Sequence, residues 1–304
     1  MNDVLEFVLT EPITAPAPAD LDQAWARHVA VTGSFDRSVD RAVAGGFAAD
    51  RLGFAFLSGY QEALRHLLPE LAGVDMLAVS ATEEGGAHPA AIRTVLAPRG
   101  EGWVVCGTKT FTTMGERAQR LVVIAATGDV VDGRPCLRAA LVEADQPGVR
   151  VTNRPPLSMA PEIPHATVIF EDAAATLLPG DGYTDFLKPF RTVEDVHVLA
   201  ATLGWLVRVG RLAAWPREVS QRLLAAVAMV RGLDLSRPGS PGTHIALGGV
   251  FAELDRLLAN SAVLWEQVQP ETRERWERDR ALLAVAGRVR EQRLAAAWRR
   301  VEGE

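Results

Sequence analysis

The chain has 304 residues, a net charge of −6 at pH 7, and 48% hydrophobic against 23% charged residues. That balance belongs to a folded protein with a sizeable core and excludes a disordered tail. It offers no whole-chain electrostatic case for nucleic acid or an anionic membrane, and no stretch approaches the roughly 20 apolar residues of a membrane span. The arginines are interleaved with acids, as in residues 271–280, which reads as a solvated helix face. Cys106 and Cys136 lie far apart with no metal-ligand spacing, so buried free thiols and no metal site are expected. Reduced thiols, with a start that has neither basic residues nor a long apolar run, point to the cytoplasm.

Residues 1–18 read as an irregular lead, since Pro12, Pro16 and Pro18 oppose regular helix. From 20 to 71 the apolar period is helical. Leu21, Ala24 and Trp25 share one face; Leu52, Phe54, Phe56, Leu57, Tyr60, Leu64 and Leu67 form an apolar helix ending near Pro69. Gly45-Gly46 reads as a break between helices. Near residue 75 the pattern becomes strand-like, with short runs at 76–80, 91–96, 103–111, 121–126, 137–142, 149–151 and 167–170. Turn signals at 98–100, Asp132-Gly133, 146–148 and 161–164 separate them. Many short strands with no intervening helix predict a compact antiparallel barrel or sandwich, not a parallel nucleotide-binding sheet.

After Pro179-Gly-Asp-Gly182 the helical period returns, predicting four bundle helices at 196–212, 219–230, 243–268 and 272–301, with a break at 236–242. Trp205, Trp215, Trp265, Trp276 and Trp298 fall among Leu and Ala on these helices and are expected to pack them together. The expected organisation is therefore a helical part at 1–75, a β module at 76–178 and a helical bundle at 179–304. No Gly-x-Gly-x-x-Gly, Walker A or nucleophile-elbow pattern occurs.

Two segments carry the chemical signal: Ser80-Ala-Thr-Glu-Glu-Gly-Gly-Ala-His88, and Gly107-Thr-Lys-Thr-Phe-Thr-Thr-Met-Gly115. Both sit where a strand exits into a polar turn, and hydroxyls with backbone N–H groups at such exits suit a flat, polar heterocycle. Their order and spacing resemble the middle domain of the acyl-CoA dehydrogenase family. That family has Thr-Glu-Pro-Gly-Ala-Gly-Ser-Asp, then Gly-x-Lys-x-(Trp/Phe)-Ile-Thr-Asn, around its flavin. The likeness continues through Gly148-Val-Arg-Val, the strand at 166–172 and Leu178-Pro-Gly-Asp-Gly182.

The resemblance implies an α+β fold of N-terminal helices, a middle antiparallel β-barrel and a C-terminal helical bundle. It also implies FAD as cofactor and oxidation of the CH–CH group of an acyl-CoA or related acyl thioester. Assembly would be as a homodimer or as a heteromer with a longer homologue. Thr82 takes the place of the threonine that bonds the flavin ring, Thr113 that of the threonine near flavin N5, and Phe111 the aromatic position. Each threonine also reads as an ordinary strand residue. The family's Gly-Ala-Gly-Ser-Asp is a shorter Gly85-Gly-Ala-His-Pro89 here, so His88 is either a replacement donor for the cofactor or a surface turn residue. Glu84 and Met114 replace the family's proline and asparagine.

The dehydrogenation needs a carboxylate base beside the flavin. The family's usual base lies in a Tyr-Glu-Gly-Thr-like segment, and this sequence ends at Val301-Glu-Gly-Glu304 without one. A minority take the base from the helix after the β module, where Glu194 stands, either as that base or as an exposed first-turn residue. Asp195 follows it where the family usually has arginine, a reversal expected to repel a CoA phosphate. The loop Val230-Arg-Gly-Leu-Asp-Leu lacks the family's Phe-Gly, leaving no recognisable cradle for the adenine half of FAD. Three readings follow: a flavin-dependent dehydrogenase, a non-catalytic homologue serving as partner subunit with FAD lost, and an acyl-thioester-binding protein without redox chemistry.

Overall fold

A computed structural model describes residues 3–303 apart from 72, 74 and 132. The chain forms two compact units, one of residues 1–66, 157–162 and 192–304, the other of residues 67–156 and 163–191. Each is considered by itself.

The second unit holds the strands β1 (Leu77–Ser80), β2 (Val95–Arg99), β3 (Gly102–Thr113), β4 (Arg120–Val131), β5 (Arg134–Glu143), β6 (Val149–Asn153) and β7 (His165–Leu177). Their order β4-β2-β3-β7-β5 closes because β5 returns to β4, while β1 flanks β4 and β6 flanks β7. The result is the expected barrel, antiparallel except where β1 and β2 meet β4. In β4 the run Leu121, Val122, Val123, Ile124 and Ala125 is wholly buried, so both of its faces are covered. The β2–β3 turn falls at the expected place, with Gly100 in the left-handed region at φ 60°. In the Asp132-Gly133 turn, Asp132 lies outside the described residues.

Between β3 and β7 the register slips: Lys109 pairs with Val168, but Thr112 pairs with Ala166. One extra residue on β3 makes a bulge, which reverses the inside–outside alternation after it. Lys109 and Thr112 are therefore both fully buried, although three residues apart.

The other unit is helical: α1 (Val4–Thr10), α2 (Leu21–Thr32), α3 (Ser38–Ala48), α4 (Leu52–Leu67), α5 (Lys188–Leu212), α6 (Arg217–Arg231), α7 (Pro241–Asn260), α8 (Pro270–Asp279) and α9 (Gly287–Glu302). Several of these differ from expectation. The lead contains α1, because the prolines begin only after it; the Asp3 carboxylate caps the Leu5 N–H at 3.0 Å, and Val4 and Val8 are buried. Phe7 anchors it edge-on to Phe35 and Phe47, with ring centroids 5.3 and 5.7 Å away.

Gly45 and Gly46 do not break a helix; they lie inside α3. A Cβ on Gly46 would overlap the Ala201 carbonyl of α5, and one on Gly204 of α5 would overlap the Val43 carbonyl of α3. These glycines allow two helix backbones to touch.

At the other end, the predicted third helix stops at Asn260 and the fourth divides into α8 and α9 around a 3-10 turn at Arg280–Ala284. The break is pinned by fully buried Asp279, which accepts the Ala160 N–H at 2.7 Å and pairs with Arg278 at 2.6 Å. Trp265 and Trp276 stack at 4.6 Å, and Trp205 and Trp215 join them in the core; Trp298 stays 46% exposed.

Candidate functional site

The two motif segments meet. Thr82 and Phe111 form an antiparallel bridge, and the Thr110 N–H donates to the Thr82 carbonyl at 2.8 Å. Directly paired residues of antiparallel strands project to the same side. Two residues on, past the bulge, Thr113 points away from the barrel interior, opposite to Thr112. Thr82, Phe111 and Thr113 thus share one outer face at the strand exit, each half-buried. Among the described residues neither the Thr82 nor the Thr113 hydroxyl has a hydrogen-bond partner within the protein.

A buried ion pair fixes this exit from beneath. The Lys109 ammonium, 0% exposed, donates to Glu83 Oε1 at 2.8 Å and to the Ile124 carbonyl at 2.5 Å. Glu83 also accepts from the Thr94 N–H at 3.0 Å, the Thr94 hydroxyl at 2.8 Å and the Arg93 N–H at 2.7 Å. Burial disfavours both charges. It brings Lys109 down to about 8 against the pull of Glu83, whereas the Lys109 ammonium and the Thr94 donors hold Glu83 below the usual carboxylate range. Glu83 is the neighbour of Thr82, so the pair sets where that threonine stands.

His165 and Arg154 complete the surface. His165 pairs in register with Thr113, and its imidazole lies 4.4 Å from the Phe111 ring at a 35° tilt. Arg154 donates to the Thr110 carbonyl at 3.0 Å and holds its guanidinium 5.7 Å from the Phe111 ring centre. Sequence reasoning assigned no role to Glu83, Lys109, Arg154 or His165. Glu83 and Lys109 did give a signal, since each lies inside one of the two motifs, and Lys109 is one of two lysines in the chain and the one inside an apolar strand run.

The remaining candidates are placed differently. His88 is exposed, and its Nδ1 accepts the Ala90 N–H at 3.2 Å to cap the short turn Pro89–Ala91. No hydrogen bond or ring contact among the described residues joins it to Thr82, Phe111 or Thr113. Glu194 lies in the helical unit, half-buried in the second turn of α5 rather than at a helix start, because α5 begins at Lys188 after a turn capped by Asp181. Its neighbour Asp195 is no unopposed negative charge: Arg290 pairs with it at 3.1 Å and Arg293 bonds its other oxygen. The thiols of Cys106 and Cys136 are free and half-buried rather than buried, and Cys106 Sγ lies 3.1 Å from the Asp172 carboxylate. No helix among the described residues is long and apolar enough to cross a membrane.

The family model that matches this chain falls largely on the same unit. Residues 78–173 match the family model of the acyl-CoA dehydrogenase middle domain. Acyl-CoA dehydrogenase IpdE1 of Mycobacterium tuberculosis is 28% identical over 203 residues, covering 62% of this chain and 52% of the relative. Probable acyl-CoA dehydrogenase YngJ of Bacillus subtilis is 29% identical over 145 residues, covering 46% and 37%. The chain thus spans about half the length, or less, of these curated relatives. Among solved structures, butyryl-CoA dehydrogenase from Megasphaera elsdenii superposes with a TM-score of 0.70 over 98% of each chain at 15% identity, a likeness of fold alone. Residues 78–173 are thus similar to the acyl-CoA dehydrogenase middle domain, and the arrangement of helices, barrel and helices resembles the fold of acyl-CoA dehydrogenases.

Proposed function

We propose that the chain is a flavin-binding, acyl-CoA dehydrogenase-like oxidoreductase acting on an acyl thioester, with the outer face of Thr82, Phe111 and Thr113 as its ring site. The observation that supports this reading is the Thr82–Phe111 bridge, which joins the two motifs, with Thr113 following Phe111 by two residues on the same strand. The residues fit the ring of FAD: two hydroxyls without partners among the described residues, an aromatic side chain on the same face, and a buried His165 Nδ1 likewise lacking a partner there. When bound, a flavin supplies the hydride acceptor that none of the twenty side chains provides.

The chain's own residues bind and orient. Thr82 and Thr113 hydrogen-bond the edge of a planar ring, Phe111 offers an apolar plane, and the Glu83–Lys109 pair keeps the Thr82 exit from shifting. Glu194 is assigned the base that takes the α-proton of the thioester. His88, engaged in its own turn, is left a supporting donor at most. The protein is read as a cytoplasmic homodimer or a heteromer with a longer homologue.

Purification without added cofactor tests the reading. A yellow protein with flavin absorbance supports it. A folded, colourless protein that stays colourless after incubation with FAD removes the redox assignment, and thermal stabilisation by acyl-CoA would then favour a thioester-binding role. In the coloured protein, Glu194→Gln is expected to abolish bleaching by acyl-CoA, and unchanged bleaching clears Glu194 of its role.

A further inference from the structure

We propose that His165 is a third polar group of the ring site, a positioning residue whose Nδ1 hydrogen-bonds the edge of a bound isoalloxazine. This rests on the ring-site reading above and deepens it.

His165 opens β7 and is paired with Thr113, so it belongs to the same outer face as the two threonines. It is only 8% exposed, and its ring is held against Phe111 at 4.4 Å. The strand start is fixed by the Arg154 N–H, which donates to the His165 carbonyl at 2.9 Å. Despite this fixed setting, His165 Nδ1 is buried with no hydrogen-bond partner among the described residues. A buried polar atom without a partner is rare in native proteins, and one at a candidate binding face calls for a ligand to satisfy it.

The surroundings favour an uncharged imidazole. Burial and the nearby Arg154 cation both pull its pKa below the ordinary value, against the weaker pull of the Ile163 backbone close by. A neutral imidazole carries one donor and one acceptor, which suits the alternating polar edge of a flavin better than a phosphate or carboxylate. The ligand class is therefore a planar heteroaromatic ring with hydrogen-bonding atoms on its rim.

The test is a titration of the full chain with FAD, FMN and riboflavin, followed by flavin fluorescence and the visible band. It compares the wild type with His165→Phe, which keeps a ring against Phe111 but deletes both nitrogens, and His165→Asn, which restores a polar group. Thermal melts establish that each variant folds. The expected result is a loss of about tenfold in affinity for His165→Phe, the size of one hydrogen bond, with a shifted visible band and substantial recovery in His165→Asn. In the wild type, saturating flavin should also move the His165 imidazole nitrogen resonances. If His165→Phe binds with unchanged affinity and spectrum while Thr113→Val weakens binding, the His165 assignment is wrong and the ring site stands. If the folded wild type binds none of the three flavins, both fall together.

Discussion

Lys109 shows how much a single residue can conceal. Its letter belongs to the Gly-x-Lys motif, yet nothing in a strand sequence says whether its ammonium points outward to water or inward to Glu83; the bulge decides that. Breaking a buried pair from one side leaves an uncompensated charge, which costs about 3–5 kcal/mol. Lys109→Met is therefore expected to lower the urea stability of the β unit by that order. The combined Lys109→Met/Glu83→Gln variant should lose clearly less than the sum of the single losses, as coupled partners do. Additive losses would show that the 2.8 Å contact carries little. The places of Thr82 and Thr113 at strand exits were legible because both sit in family-like motifs that run from an apolar strand into a glycine-containing turn. His165 was not, since its proximity to Phe111 arises from the pairing of β3 with β7 across more than fifty residues.

At the scale of elements, the strands were read nearly in place because their turns carry glycine and proline, while the helices were misjudged where a residue serves a distant neighbour. Gly45-Gly46 has the look of punctuation, but its absent side chains answer to α5 and to His28 and Ser58. Gly46→Ala should force α3 and α5 apart and cost about 1–3 kcal/mol, as overpacking does. Gly249→Ala, in α7, makes the opposite prediction. A Cβ there meets nothing within 4 Å, so the change should stabilise the helical unit by roughly 0.5–1 kcal/mol through helix propensity and a less free unfolded chain. Chemical denaturation of the two variants side by side checks both signs, and equal effects would discard the close-approach argument. The division of residues 272–301 into α8 and α9 was equally hidden, because buried Asp279 answers to Ala160, more than a hundred residues away.

For the molecule as a whole, the order of helices, barrel and helices was legible from the changes of hydrophobic period. The grouping of the N-terminal helices with those of the C-terminal half into one unit was not, because periodicity carries no information about partners. That unit encloses a polar chain. His197 donates from Nδ1 to the Val193 carbonyl at 2.7 Å and accepts the Ser38 hydroxyl at Nε2, 2.9 Å away. His28 bridges Ser58 at 3.0 Å and Glu62 at 3.1 Å. The Ser58–His28–Glu62 order is that of a nucleophilic relay, but all three are buried and Gly45 is pressed against them, leaving no room for a reacting carbonyl.

Its consequence is acid sensitivity. Burial lowers His197 to about 4 and also depresses His28 and His66, so between pH 6.5 and 4 the unfolded chain takes up protons that the folded chain refuses. Stability is full above that window and falls as pH drops through it, by roughly 3 kcal/mol for His197 alone. Glu62 extends the loss. Burial opposes its charge, but His28, Arg41 and Arg65 outweigh that and bring it to about 2, so its contribution disappears between pH 4.5 and 2. Urea midpoints at pH 7.5, 5.5 and 4.5 should decline in that order; a flat profile would contradict the neutral-imidazole picture.

The extra residue in β3 has a last implication, for how the surface around Phe111 can drift over evolutionary time. Which letters follow Lys109 is negotiable, since a phenylalanine or a tryptophan can equally well look outward. Whether the bulge accompanies the extra residue is not. Running the same letters in regular alternation from Lys109, with no bulge, would turn Thr113 inward to the crowded lumen and send Thr112 to the rim, undoing the arrangement without altering the chemistry of any side chain. A lineage can thus respell this corner of the barrel freely, so long as the extra residue and the bulge are kept or lost together.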